Sequence, residues 1–129
     1  MKDLTKEWIS KAEKDFQVAK REFGVEPPEC DAVCFHSQQC VEKYMKAVLQ
    51  ENEVFFEKTH DLDILLEKCR TFIPELSNLK QELIELSSFA VEIRYPGTEA
   101  TNEEAERHLS IAETVRRIIR TYLKLSTEE

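Results

Sequence analysis

Apolar residues recur every three or four positions along most of the chain, which is the spacing of one face of an α-helix. The first stripe predicts a helix over residues 3–23 that ends at Gly24 and the Pro27-Pro28 pair. A second helix is predicted over residues 30–51, with apolar residues on about half of its circumference, so it needs more than one neighbour. The stripe of the first helix consists of Leu4, Trp8, Ala12, Phe16, Ala19 and Phe23.

Two shorter apolar segments predict the third and fourth helices. The third covers residues 61–70, with Thr59 or Asp61 as its N-cap. The fourth starts at Pro74 and runs to about residue 93, because the residue before Pro96 is kept out of the helical region.

The fifth helix, capped by Thr101 or Asn102, carries two apolar stripes side by side. One face is enough to build a monomeric bundle, so the second stripe predicts a subunit interface and a homodimer. The fold class that follows is all-α: an antiparallel up-and-down bundle of four long helices and one short helix, in a single domain over residues 1–129. The stripes are Ala105, His108, Ala112, Val115, Ile119 and Tyr122, and Ile111, Ile118 and Leu125.

Composition excludes several other classes of protein. Two glycines and four prolines in 129 residues are too few for a β-barrel or a glycine-rich phosphate loop. No apolar run is long enough to cross a membrane and the N-terminal residues lack the apolar core of a signal peptide, so a cytoplasmic protein without membrane contact is expected. Four cysteines fall within helical patterns without a CxxC pair, which predicts core thiols, no metal site and no cofactor.

Charge is distributed unevenly along an acidic chain. The formal net charge is −8, which disfavours general binding to nucleic acid. Residues 107–124 nevertheless carry five basic groups against Glu113 alone. Their cluster Arg116, Arg117 and Arg120 is either a phosphate-binding surface or an ordinary solvated face.

Two groups of polar residues are candidate ligand sites. His36, Gln39, Lys43 and Lys46 form one line along the second helix, and their donors suit a phosphate or a carboxylate. The alternative is a solvated helix edge. His60, beside Asp61, either contacts a ligand or helps to cap the third helix.

Arg94 lies next to the helix break at Pro96. If the fourth helix persists to this position, its side chain points into the bundle, where a lone guanidinium would need a carboxylate. Asp15 is the best candidate, and the pair would be structural or would hold Arg94 ready for an anion.

Four motifs in this order resemble those of the HEPN (higher eukaryotes and prokaryotes nucleotide-binding) domain family. They are Trp8-x-x-x-Ala12-Glu13-x-Asp15-x-x-x-Ala19, Cys34-Phe35-His36-Ser37-Gln38-Gln39-Cys40-Val41-Glu42-Lys43-Tyr44-Met45-Lys46-Ala47, Thr59-His60-Asp61-Leu62-x-x-Leu65-Leu66 and Arg94-Tyr95-Pro96. The resemblance implies a compact helical bundle, usually a homodimer. It also implies a gene beside a minimal nucleotidyltransferase in a toxin–antitoxin or related module. Many members are metal-independent ribonucleases that use an Arg followed by four to six residues and then His.

This chain lacks that ribonuclease spacing, because no Arg precedes any of its three histidines by five to seven positions. No catalytic residue is therefore assigned, and a module that binds a nucleotide, RNA or a nucleotidyltransferase partner is favoured. The alternatives are a divergent ribonuclease whose Arg and His meet across a dimer, and a structural adaptor that uses the fifth helix. The ligand or partner site carried over from the resemblance consists of His36, Gln39, Lys43, Lys46, His60, Asp61 and Arg94.

Overall fold

The structure is a computed structural model that describes residues 1–128, and within that range it contains helices and no strand. The predicted all-α fold is confirmed. None of these helices combines the length and the apolar character that crossing a membrane requires. The elements are α1 (Asp3–Phe23), α2 (Cys30–Glu51), α3 (Leu62–Cys69), a 3₁₀ turn (Pro74–Leu79), α4 (Lys80–Glu92) and α5 (Asn102–Tyr122).

Helix α2 is the centre of the fold, because it packs against each of the other four α-helices. More than half of its residues are buried, which matches the wide apolar arc in its sequence. Its most extensive contacts are with α1 and α5. The largest fully buried side chains of the protein, three of them on α2 itself, are Phe16, Tyr44, Met45, Leu49, Leu62, Leu65, Leu66, Leu76, Leu83, Leu86, His108 and Ile119.

Side-chain caps fix the starts of two helices, α3 and α5. Asp61 caps α3 by accepting the backbone N–H of Asp63 at 3.0 Å. Thr101 caps α5 in a capping box with Glu104, whose side chain accepts the backbone N–H of Thr101 at 2.9 Å. The predicted start of the fourth helix at Pro74 is wrong, since residues 74–79 form a 3₁₀ turn and α4 begins at Lys80. Such tighter turns are common at helix N-termini.

His108 is a packed core histidine, as predicted. It is 1% exposed and meets the ring of Phe89 edge-on at 5.2 Å between centroids. Neither ring nitrogen has a hydrogen-bond partner among the described residues. Burial, assisted by the positive charge of Arg107, lowers the pKa of His108 to about 4. The neutral imidazole is therefore the form that the folded state accepts.

This lowered pKa makes stability depend on pH. The unfolded state takes up a proton near pH 6.5 and the folded state only near pH 4, so protonation of His108 favours unfolding as the pH falls between these values. We expect the wild type to lose more free energy of unfolding across this window than His108→Leu, in urea titrations at each pH. Parallel pH profiles of the two proteins would contradict the assignment.

The second apolar stripe of α5 packs inward rather than facing outward. Ile111 is buried, and Ile118 and Leu125 pack against the main core. The structure thus contradicts the premise of an interface on this helix, although the homodimer itself stays a prediction. Several large exposed apolar side chains lie on α3, on α4 and just after it, namely Ile64, Ile84, Val91 and Tyr95; others are spread over the rest of the chain, including Phe55 before α3 and Tyr122 on α5.

Candidate functional site

The polar line along α2 is not a solvated edge, because its side chains are held by carboxylates. Asp15 on α1 is buried and accepts Nδ1–H of His36 at 2.8 Å and Nζ of Lys43 at 2.6 Å. Since a carboxylate oxygen only accepts, His36 must carry its proton on Nδ1 here. These three residues, the Asp15 cluster, join α1 to α2.

A second group of polar residues surrounds Glu42, which is 3% exposed. Its carboxylate accepts Nζ of Lys46 at 2.8 Å, Nδ1–H of His60 at 2.9 Å and Nε2 of Gln38 at 3.2 Å. Gln39 extends this Glu42 cluster by donating to Oε1 of Gln38 at 2.7 Å. A buried carboxylate with three donors is well compensated, and removing its buried charged partner Lys46 is costly.

Gln38 and Glu42 are members of the candidate site that sequence reasoning did not include. They lie four positions apart, so they share one face of α2. That face of α2 is buried. Two polar residues within an apolar arc indicate buried hydrogen-bond partners, and this pattern was the sequence signal that could have identified them.

Lys46 is buried with Glu42 and provides no free positive charge. Its side chain is 7% exposed and its Nζ lies 5.4 Å from the ring centroid of Trp8. Trp8 in turn meets Phe56 edge-on at 6.1 Å. Together with the pairing of Lys43 to Asp15, this means that the lysines predicted to bind an anion are already neutralised inside the protein.

His60 connects the Glu42 cluster to the surface. Its side chain is 72% exposed, and Glu42 holds the proton on Nδ1, so Nε2 is the basic nitrogen left without a partner among the described residues. Its backbone carbonyl accepts from Gln38 at 3.1 Å and from Ser87 at 3.3 Å. His60 lines an open cavity of about 410 Å³, the His60 cavity, with Asp61, Asp63, Ile84, Ser87, Ser88 and Val91.

The predicted pair between Arg94 and Asp15 is wrong. Helix α4 ends at Glu92, and Ile93 takes the inward position, 7% exposed. Arg94 is exposed in the following turn, where its guanidinium lies 4.9 Å from the ring centroid of Phe35. Asp15 already has two partners, His36 and Lys43, so it offers little to a third cation.

The seven predicted site residues are therefore divided. His36 and Lys43 belong to the Asp15 cluster, and Gln39, Lys46 and His60 to the Glu42 cluster. His60 and Asp61 line the cavity, whereas Arg94 does not. The ring of Phe35 lies between Arg94 and the Asp15 cluster: it contacts the guanidinium of Arg94 on one side and meets the ring of His36 edge-on at 5.2 Å between centroids.

The three arginines of α5 differ in their surroundings. Arg116 is 3% exposed and donates from Nε and Nη2 to Glu13 at 2.7 and 2.9 Å. Arg120 donates to the hydroxyl of Tyr44 at 3.1 Å, and that hydroxyl donates to Glu13. Burial alone would raise the pKa of Glu13, but the hydrogen bonds from Arg116 and Tyr44 hold it below its usual value. Of these three arginines, only Arg117 lies on a solvated face. Its guanidinium is exposed and pairs with Glu113 of the same helix at 3.6 Å.

The cysteines are free, and three of them are buried as predicted: Cys34, Cys40 and Cys69. Burial raises the pKa of Cys34 and Cys69 to about 12, so these thiols stay protonated. Cys30 is partly exposed and donates to Oδ1 of Asn102 at 3.0 Å. Within residues 1–128, no three His, Cys, Asp or Glu side chains are grouped so that they could hold a metal ion.

Comparison with known proteins agrees with the motifs. Residues 5–122 match the profile of the HEPN domain. The chain is 33% identical over 133 aligned positions to a protein of Methanocaldococcus jannaschii named "Putative toxin MJ1304", and the match covers 91% of this chain and 86% of that protein. No solved structure gives a significant match. The chain belongs to the HEPN domain family.

Proposed function

We propose that this protein is the HEPN component of a toxin–antitoxin module in the cytoplasm and works there as a homodimer that binds a minimal nucleotidyltransferase. The HEPN match and a relative named as a toxin support the module type. The observation that carries the binding role is the Glu42–His60 pair at the cavity. A buried carboxylate there holds an exposed imidazole in one orientation and one tautomer.

The chemistry of this surface favours a protein partner over a free nucleotide. Asp61 and Asp63 make the His60 cavity acidic, and no Lys or Arg lines it. Phosphates would be repelled there, whereas Ile84 and Val91 offer exposed apolar contact area. The lysines of α2 that could have attracted a nucleotide are paired with Asp15 and Glu42.

The proposal is tested by light scattering on the purified chain, alone and mixed with the minimal nucleotidyltransferase proposed as its partner. The chain alone should have a mass of about 30 kDa, twice its 15.1 kDa. The mixture should give a heavier stable complex. A mass of about 15 kDa that is unchanged by the nucleotidyltransferase would contradict both parts of the proposal.

A second candidate function is metal-independent cleavage of RNA, and the Glu42–His60 pair is the observation that favours it. Nε2 of His60 has no hydrogen-bond partner within residues 1–128, and a general base needs such an accessible nitrogen. A phosphoryl-transfer site also needs positive charge beside the phosphate, and the His60 cavity offers Asp61 and Asp63 instead. Binding is therefore the better supported function.

We accordingly expect the purified protein to leave both structured and single-stranded RNA uncut. The assay is denaturing gel electrophoresis of end-labelled RNA after prolonged incubation, with His60→Ala and His36→Ala purified in the same way. Cleavage by the wild type that either substitution abolishes would establish the ribonuclease instead.

A further inference from the structure

The segment that follows α5 folds back over two of its arginines. The main-chain carbonyl of Thr127 accepts Nη1–H of Arg116 at 3.0 Å, and that of Glu128 accepts Nη2–H at 3.3 Å. The carbonyl of Ser126 accepts Nε–H of Arg120. Three successive carbonyl groups thus occupy guanidinium donors, while the side chains of residues 126–128 are exposed.

The reversal that directs this segment back onto α5 uses an unusual residue. Lys124 has a φ of 60°, in the left-handed region that glycine normally occupies after a helix. The backbone N–H of Leu125 then bonds to the carbonyl of Arg120 at 2.8 Å. A lysine in this conformation costs about 1 kcal/mol, so contacts made by the segment have to offset it.

Within residues 1–128, the two guanidinium groups under this segment have a single carboxylate, that of Glu13, as their acidic partner. Arg116 shares the carboxylate of Glu13, but the described contacts of Arg120 are with two neutral oxygens, those of Tyr44 and Ser126. Two guanidinium groups thus face one carboxylate. Hydrogen bonds from a guanidinium to an anionic oxygen are roughly twice as strong as those to a neutral carbonyl. Ser126–Glu128 is therefore a weaker acceptor for these donors than a phosphate would be.

We propose that Arg116 and Arg120 form a phosphate-binding site that residues 126–128 occlude, so that this segment is an autoinhibitory strap. The site lies on α5 and shares no residue with the His60 cavity, so it does not depend on the proposed function. A phosphate that enters must displace the three carbonyls. A phosphate that bridges the two guanidinium groups gives them charged oxygen acceptors in place of the neutral carbonyls.

The test compares pyrophosphate binding by titration calorimetry at low salt in five forms of the chain. The first two are the wild type and a chain truncated after Leu125, which lacks the three carbonyls; the side chains of residues 126–128 that are lost with them are exposed. The third is the full-length double variant Glu128→Gln with Glu129→Gln, which neutralises these two glutamate side chains but keeps the three carbonyls. The last two are Arg120→Gln and the matched control Arg117→Gln, both in the truncated chain.

We expect truncation to tighten pyrophosphate binding by about tenfold, and the charge-neutral full-length variant to gain much less. In the truncated chain, Arg120→Gln should abolish the gain, whereas Arg117→Gln should keep it. ATP and a short single-stranded RNA are then tested as two sources of phosphate. Tighter binding of either by the truncated chain than by the wild type supports the site and shows which of the two phosphate ligands it accepts. Equal affinity of the truncated and the charge-neutral chains would overturn the proposal.

A second measurement keeps the proposal testable if the truncated chain does not fold. In the full-length chain, saturating pyrophosphate should move the backbone amide resonances of residues 126–128 to the positions of an unstructured peptide. Amide resonances that do not move at saturation would overturn the strap. Binding at the His60 cavity would instead shift His60 and Asp61, so the two sites are told apart.

Discussion

Replacing Glu42 by alanine is expected to lower the free energy of unfolding by about 3–5 kcal/mol. The substitution leaves the ammonium group of Lys46 buried without its carboxylate and removes the acceptor for His60 and Gln38. A lone buried charge costs far more than a broken surface pair, because water cannot replace the lost partner. The measurement is equilibrium unfolding in urea, followed by far-ultraviolet circular dichroism.

Two controls separate the buried charge from a general loss of contacts. Glu67→Ala removes a half-exposed carboxylate that lies 3.3 Å from Arg70, and it should cost less than about 1 kcal/mol. Adding Lys46→Met to Glu42→Ala removes the unpaired ammonium and should recover part of the loss. If Glu42→Ala costs no more than Glu67→Ala, Glu42 does not organise this cluster.

The second large effect is expected at Arg116. Arg116→Met deprives Glu13 of two hydrogen bonds and the segment after α5 of two more. It also removes the guanidinium that lies 4.8 Å from the ring centroid of Phe16. Glu13 is partly exposed and can be hydrated, so the expected loss is about 3 kcal/mol, at the lower end for a broken buried pair.

Arg117→Met is the matched control for this substitution, because it changes the next residue of the same helix. The guanidinium of Arg117 is 59% exposed, so the free energy of unfolding of Arg117→Met should stay within about 0.5 kcal/mol of the wild-type value. Differential scanning calorimetry of the three proteins gives the comparison. Equal melting temperatures for Arg116→Met and Arg117→Met would show that the Glu13 pair adds nothing to the fold.

The helices could be predicted from the sequence because each depends on local information. Apolar spacing placed α1 and α2 within residues 3–23 and 30–51, and caps at Asp61 and Thr101 fixed the starts of α3 and α5. The 3₁₀ turn at residues 74–79 was not predicted, because its leucines at 76 and 79 have a spacing that also occurs in α-helices. The pairing of helices depends on contacts between distant parts of the sequence. These contacts, which the spacing does not predict, place the second apolar stripe of α5 inside the bundle.

The candidate site was predictable only in part, for the same reason. His60 and Asp61 were identified from a short motif, and they do line a cavity. The partners of the α2 lysines could not be predicted, because Asp15 and Lys43 are 28 positions apart and meet only when α1 packs on α2. Arg94 was misplaced because the prediction extended α4 past Glu92, and a turn of two residues redirected the side chain.

The most direct test of the binding role is the affinity of the chain for a minimal nucleotidyltransferase, the partner proposed for it, measured by titration calorimetry with surface variants. Val91 is 53% exposed beside His60 in the cavity, and Val25 is 46% exposed in the loop between α1 and α2. We predict that Val91→Lys weakens binding at least about tenfold, since it places a charge in an apolar contact, whereas Val25→Lys leaves it unchanged. Equal affinities of the two variants and the wild type would contradict a partner surface at the His60 cavity.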